Sequence, residues 1–195
     1  MADFTSGLLP SGQFGPGAYS EMFTAAEVAE RDPRRLPVGA TVIPAECTDT
    51  TDEPEAKPDS FAGQVVLVDA GLSYFQMVQS PFEGTGLDPA TAGADVNGCE
   101  SVTLSLPDGT IVAMTVAPLE IGDVGTANAG LRIDRTAVAA DGQAYTSFIL
   151  IAYVADGARV SSLAVTSLVP NTPADETSFR ELVATAFEYQ HNALS

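Results

Sequence analysis

Positive charge is what this chain has least of. Eight lysines and arginines face 26 aspartates and glutamates, for a formal net charge of -18, and Lys57 is the one lysine. Such a surface repels phosphate backbones and anionic lipid, which argues against general nucleic-acid binding and against adsorption to an acidic membrane. Long hydrophobic runs are missing too, so the sequence holds no transmembrane candidate. The opening MADFTSGLLPSGQFGPG has neither the basic start nor the apolar core of a signal peptide. An export signal or lipid anchor removed from, or lying upstream of, this stretch is compatible with that.

Catalytic vocabulary is equally sparse. The single histidine, His191, stands near the end in YQHNALS, where helices fray. No GxSxG elbow, SxxK pair or P-loop occurs, and GTANAGL does not have the spacing of GxGxxG. Asp52, Glu53 and Glu55 fall in a loop-like run that would preorganise them poorly. Asp88, Asp95 and Asn97 lack EF-hand spacing and its closing glutamate. The expectation is a protein that is not an enzyme, with no cofactor and no metal site.

What is present is the patterning of a globular protein. An apolar fraction of 45% over 195 residues suits one domain. Residues 1–20, rich in Gly, Pro and Ser, are expected to be a flexible lead-in, with a single domain over 21–195. In FTAAEVAE, Thr24 and Glu27 have capping-box spacing, and Pro33 and Pro37 end a short helix. The acidic TDTTDEPEAKPDS then reads as a surface loop. Beyond Ser60 the period becomes two: GQVVLVD, LSYFQMVQS, SVTLSL, TIVAMTVA, GLRIDRTA, SFILIAYV and SSLAVTSLV are strand candidates. PDG should turn SVTLSL into TIVAMTVA, and the almost wholly apolar SFILIAYV suits a central strand covered on both faces. The chain closes on NTPADETSFRELVATAFEYQ, with Thr172 placed as N-cap and Pro173 at N1. Phe179, Leu182, Val183, Ala186 and Phe187 form one stripe that needs a sheet beneath it. The fold class is α+β: a mainly antiparallel twisted sheet covered by a short N-terminal helix and a longer C-terminal amphipathic helix.

Cys47 and Cys99 are the only cysteines. Their separation is not that of a CxxC redox site, and two thiols cannot hold a structural zinc. The residues leave open a bridge or two separate thiols, according to compartment. A bridge would tie the N-terminal third to the sheet.

The order of these features resembles the extracytoplasmic domains of mycobacterial and other actinobacterial envelope proteins, among them the extracellular sensor domain of the PknH kinase and related small lipoproteins of unknown function. The shared pattern is a leading LLP, a short helix, the step Pro44-Ala45-Glu46-Cys47, Cys99 before a strand with a PDGT turn at Pro107–Thr110, paired strands and a final amphipathic helix. The PknH domain carries four cysteines in two bridges, so the resemblance implies at most one here, Cys47–Cys99. It also implies a location that is secreted or anchored to the outer face of the cytoplasmic membrane, and a ligand-binding cleft.

Arg132 and Arg135 are rare cations beside a strand candidate, expected either to form surface salt bridges or to orient a carboxylate or phosphate of a ligand, although a spacing of three puts them on opposite faces of a regular strand. Tyr74, Phe75 and Met77 could line an apolar groove, or belong to the core. The leading expectation is a non-catalytic module that binds a small envelope ligand or an envelope protein. The alternatives are a structural or assembly subunit of an envelope complex and, behind it, an envelope glycan hydrolase.

Overall fold

A computed structural model describes residues 4–24, 27, 38–47, 61–80, 98–157 and 159–195. The α+β expectation holds. Among these residues the strands are β1 (Tyr19–Phe23), β2 (Thr41–Ile43), β3 (Phe61–Val68), β4 (Leu72–Gln79), β5 (Ser101–Ser105), β6 (Ile111–Pro118), β7 (Ala127–Val138), β8 (Ala144–Ala155) and β9 (Val160–Ser167). They form one nine-stranded sheet in the order β1-β3-β4-β9-β8-β7-β6-β5-β2, antiparallel at every junction. The α-helix α1 (Glu176–Ala193) follows β9. Thr24 and Glu27 make the expected reciprocal cap, Thr24 N–H donating to Glu27 at 2.7 Å and Glu27 N–H to the Thr24 hydroxyl at 3.3 Å. The rest of that helix, and the acidic loop after Cys47, lie outside the described residues.

Local chemistry explains the turns. Gly71 closes the β3–β4 hairpin at φ 73°. In the β5–β6 turn Asp108 Oδ1 accepts Thr110 N–H at 2.9 Å, and Gly109 supplies the positive φ that the PDG signal implied. β5 to β9 run as a meander that returns until its last strand, β9, slots between β8 and β4. SFILIAYV is the middle strand, as its composition implied, but only one of its faces is sealed: Leu150, Ala152 and Val154 are buried, Ile149, Ile151 and Tyr153 half-buried.

The sealed face carries the core. Val66, Tyr74, Leu150, Val154, Leu163 and Val165 pack against Phe179, Val183 and Ala186 of α1. The loop after β6 tucks Leu119, Ile121 and Val124 into the same cluster. It crosses so close to β7 that a Cβ on Gly130 would lie 2.2 Å from the Leu119 carbonyl oxygen. On the opposite face the Phe23 ring lies across Gly63, stacked on Phe75 at 4.8 Å.

Two sequence expectations are corrected. Residues 4–20 are not a lead-in outside the domain: Leu9 (1% exposed), Phe4, Leu8 and Phe14 are buried. Gln64 and Gln76, directly opposed on β3 and β4, hold this segment down. Gln64 Nε2 donates to Leu9 O at 2.7 Å and to Gln76 Oε1 at 2.8 Å, and Gln76 Oε1 accepts Leu9 N–H at 2.9 Å. Second, α1 starts later than the Thr172 cap implied. Asp175 is the N-cap, its Oδ1 accepting Ser178 N–H at 2.7 Å. The preceding residues are held off the helix by Asn171, at φ 59°, whose N–H donates to Thr146 O while its side-chain oxygen accepts Thr146 N–H.

Cys47 and Cys99 are bonded, and both are thereby accounted for. The bridge joins the turn after β2 to Cys99, two residues ahead of β5, so it ties the sheet's last edge strand to its neighbour. With a separation of 52 residues, the entropic stabilisation is about 4 kcal/mol before any strain.

The packing orders two phenylalanines of the stripe. Phe179 is 2% exposed, whereas Phe187 is only half-buried beside His191. Phe179→Ala should cost about 3–5 kcal/mol in urea unfolding, and Phe187→Ala clearly less. Equal losses would mean that Phe187 sits as deep as Phe179. Replacing both cysteines by serine should lower stability by up to about 4 kcal/mol. An unchanged midpoint in non-reducing buffer would remove the bridge from the account of stability.

Candidate functional site

The sequence-derived candidates do not converge. Strand alternation splits Arg132 from Arg135, as their spacing implied. Arg132 opposes Leu150 on the helix-covered face, and Arg135 projects on the other. Tyr74 belongs to the core, its ring 5.1 Å from Phe14, and burial pushes its phenol pKa up. Phe75 and Met77 lie on the face away from α1, Phe75 stacked on Phe23. They are three strands from Arg135 in the sheet order. The groove expected of Tyr74, Phe75 and Met77 is therefore absent among the described residues: consecutive strand residues alternate between faces. Arg135 has one oddity, a buried Nε with no hydrogen-bond partner among the described residues.

Arg132 does stand at a concavity. Its Nε and Nη2 donate to both oxygens of Asp134 at 2.8 and 3.1 Å. Its Nη1 donates to Glu176 Oε1 at 3.2 Å, tying β7 to the first turn of α1. The guanidinium lies 6.0 Å from the Phe148 ring centre. Asp134, then Glu176, hold it more firmly charged than usual. The second oxygen of Glu176 accepts from Arg180 at 2.9 Å, and Arg180 also donates to Glu120 O at 2.6 Å. Beside this network is a groove of about 430 Å³. Leu150 and the half-buried Phe148 form its floor, Pro173 and Ala174 its wall, and Arg132, Asp175 and Glu176 its rim. A second void, beneath α1 between Gln76 and Gln190, is about 10 Å³, room for about one water.

The loop that builds the wall, Pro170–Asp175, is rigidly placed by the Asn171–Thr146 pair. One signal for the missed residues was present: Asp134 is two residues from Arg132, hence on the same face of any strand. No group of three or more His, Cys, Asp or Glu is arranged to hold a metal among the described residues. Asp52, Glu53, Glu55, Asp88, Asp95 and Asn97 lie outside them. No helix among the described residues is long and apolar enough to cross a membrane.

No protein-family model and no curated protein matches this chain. A solved structure does: the crystal structure of an uncharacterized protein from Mycobacterium smegmatis, an ortholog of Rv0999, with a TM-score of 0.57 at 18% identity over 99% of this chain and 97% of that one. The two share a fold. At that identity nothing about activity passes between them.

Asp175 makes the site's acid response testable. The Ser178 backbone N–H, assisted by the Arg180 charge, holds its carboxyl below the usual carboxylate range. A depressed folded pKa contributes stability above the unfolded value of about 3.9, and that contribution is lost as pH falls through the folded value. Asp175→Asn keeps a capping oxygen without the charge. It should lower the thermal midpoint at pH 7 slightly and flatten its decline below pH 4. An unaltered slope would show that Asp175 is not linked to acid unfolding.

Proposed function

We propose that this chain is a non-catalytic, extracytoplasmic binding module of an actinobacterial cell envelope, and that its ligand or partner seats in the groove between β7, β8 and the start of α1. The observation that carries the reading is the groove itself: an apolar floor of Phe148 and Leu150 under a rim of ionised groups that already satisfy one another. Such a lining offers contact and orientation. Its best-placed acids, Asp134 and Glu176, are engaged with Arg132, an arrangement suited to holding a surface together.

The compartment rests on the disulfide, which oxidising environments sustain and reducing ones rarely do. The resemblance to the PknH extracellular domain and to small envelope lipoproteins supports a location outside the cytoplasmic membrane, secreted or lipid-anchored. The fold relative is mycobacterial, in keeping with the actinobacterial side of the resemblance.

The assembly-subunit reading draws on a different observation. On the face of β6 that continues past α1, Ile111 is 49% exposed, and its cross-strand partner Val138 and, two strands away on β2, Ile43 are exposed as well. One experiment separates the two. Native mass spectrometry of the protein with an envelope extract should show a bound species that is lost in Phe148→Ala and retained in Ile111→Lys, with circular dichroism verifying that each variant is folded at the temperature used. Loss in Ile111→Lys alone would move the contact to the distal face. Turnover of the captured species would replace a binding module with an enzyme.

A further inference from the structure

Of the two roles the sequence offered Arg132, salt bridging and contact with an anionic ligand, the geometry shows the first. Arg132 already holds Asp134 with two donors and Glu176 with a third. An incoming carboxylate would have to displace one of them. A cation would displace nothing, because carboxylate oxygens accept more than one hydrogen bond. Asp175 is exposed, and its Oδ1 alone takes the Ser178 N–H. Among the described residues around the groove, Asp134, Asp175 and Glu176 outnumber Arg132 and Arg180, in a chain whose formal net charge is -18. The local field and the field of the whole protein therefore have the same sign.

The floor specifies what carries the cation. Phe148, Leu150 and Pro173 present hydrocarbon, the surface on which lysine and arginine stems lie while their heads reach polar groups. Beyond the groove the same sheet face runs onto β6, where Ala117 opposes Arg132 and Thr115 opposes Asp134. Ala113, Thr115 and Ala117 are all exposed, and none carries charge. A lone amine would use the groove only. A chain segment would use the groove and this uncharged strip together, and so gain enough contact to offset its loss of freedom.

We infer that the groove docks a basic segment of a partner protein, with one lysine or arginine stem on Phe148 and Leu150, its cation among Asp134, Asp175 and Glu176, and the flanking backbone crossing β6. This rests on the binding-module reading and adds the sign and class of the occupant.

The test uses the intact disulfide-bonded protein and three probes: a five-residue peptide alternating leucine and lysine, the same peptide with glutamate for lysine, and hexylamine. Binding is read by calorimetry and by amide chemical shifts. The lysine peptide should bind at least about tenfold more tightly than the glutamate peptide or hexylamine. It should weaken as salt rises from about 0.05 to about 0.5 M. Asp175→Asn, which keeps the cap, should weaken it by about threefold, and Glu176→Gln by a similar factor. Shifts should centre on Phe148, Ala174 and Thr115. Equal or tighter binding of the glutamate peptide, hexylamine as tight as the peptide, no binding of the lysine peptide, or affinity indifferent to both substitutions would each overturn the inference. If both peptides bind alike with shifts at Phe148 and Ala174, the charge preference falls while the groove stands. Shifts confined elsewhere would remove the groove reading as well.

Discussion

Two glutamine side chains, Gln64 and Gln76, are buried face to face in the core at 3% and 2% exposure. A buried amide without partners is costly, so the core can close only where those partners are supplied. They come from each other and from the backbone of Leu9. The N-terminal segment is thus required by the sheet as much as it requires the sheet. Once Leu9 is fixed, Phe14 reaches Tyr74, and Phe4 and Leu8 meet Ala62, Val78 and Leu194. Leu194 is itself pinned, since Arg159 donates to its carbonyl at 2.9 Å while paired at 2.6 Å with Asp156. That pair is nearly buried, and its strength is directed at holding the end of α1 against the β8–β9 turn. Both chain ends converge on one patch of the sheet.

The opposite end of the sheet is organised by other means. There α1 no longer covers the strands, and the short β2 is retained by its ladder to β5 and by the Cys47–Cys99 bond. The groove lies at the transition between these regimes, where the helix begins and the cover stops. Its position follows from the Asn171–Thr146 pair, which delays the helix until Asp175 and leaves Pro173 and Ala174 as a wall.

Elements with strong local signals were legible in the sequence. The β5–β6 turn follows from Asp108 and Gly109, the α1 stripe from Phe179, Val183 and Ala186, and the central strand from the unbroken apolar run at 148–154. The capping pair Thr24–Glu27 was legible for the same reason. What escaped is set by contacts between distant segments. The burial of Phe4, Leu8, Leu9 and Phe14 has no periodicity to betray it, among glycines and prolines that suggest a loop. The place of β2 beside β5, and of β9 beside β4, is decided by pairing between remote residues. At the candidate site, Arg132 was found by its rarity, but its partner Glu176 is 44 residues away and becomes visible only when α1 docks. Tyr74, Phe75 and Met77 were grouped by adjacency, and adjacency in a strand is separation in space.

The place of β9 sets a constraint on how the protein comes into being. Strands β1, β3 and β4 form one half-sheet, β5 to β8 with β2 the other, and the piece between them, β9, is the last of the described strands to be made. Until residues 160–167 arrive, β4 and β8 each present a long, largely apolar edge of unpaired backbone, the kind of surface on which chains stick to one another. A chain emerging amino-terminus first, from a ribosome or through a translocation pore, must carry the β4 edge open from residue 79 until residue 160, whereas the β8 edge is covered almost as soon as it is made. The pairing that joins the halves spans much of the sequence, and such long-range closure is slow. For this fold, assembly is a late event that waits on the carboxyl-terminal strand and the helix behind it.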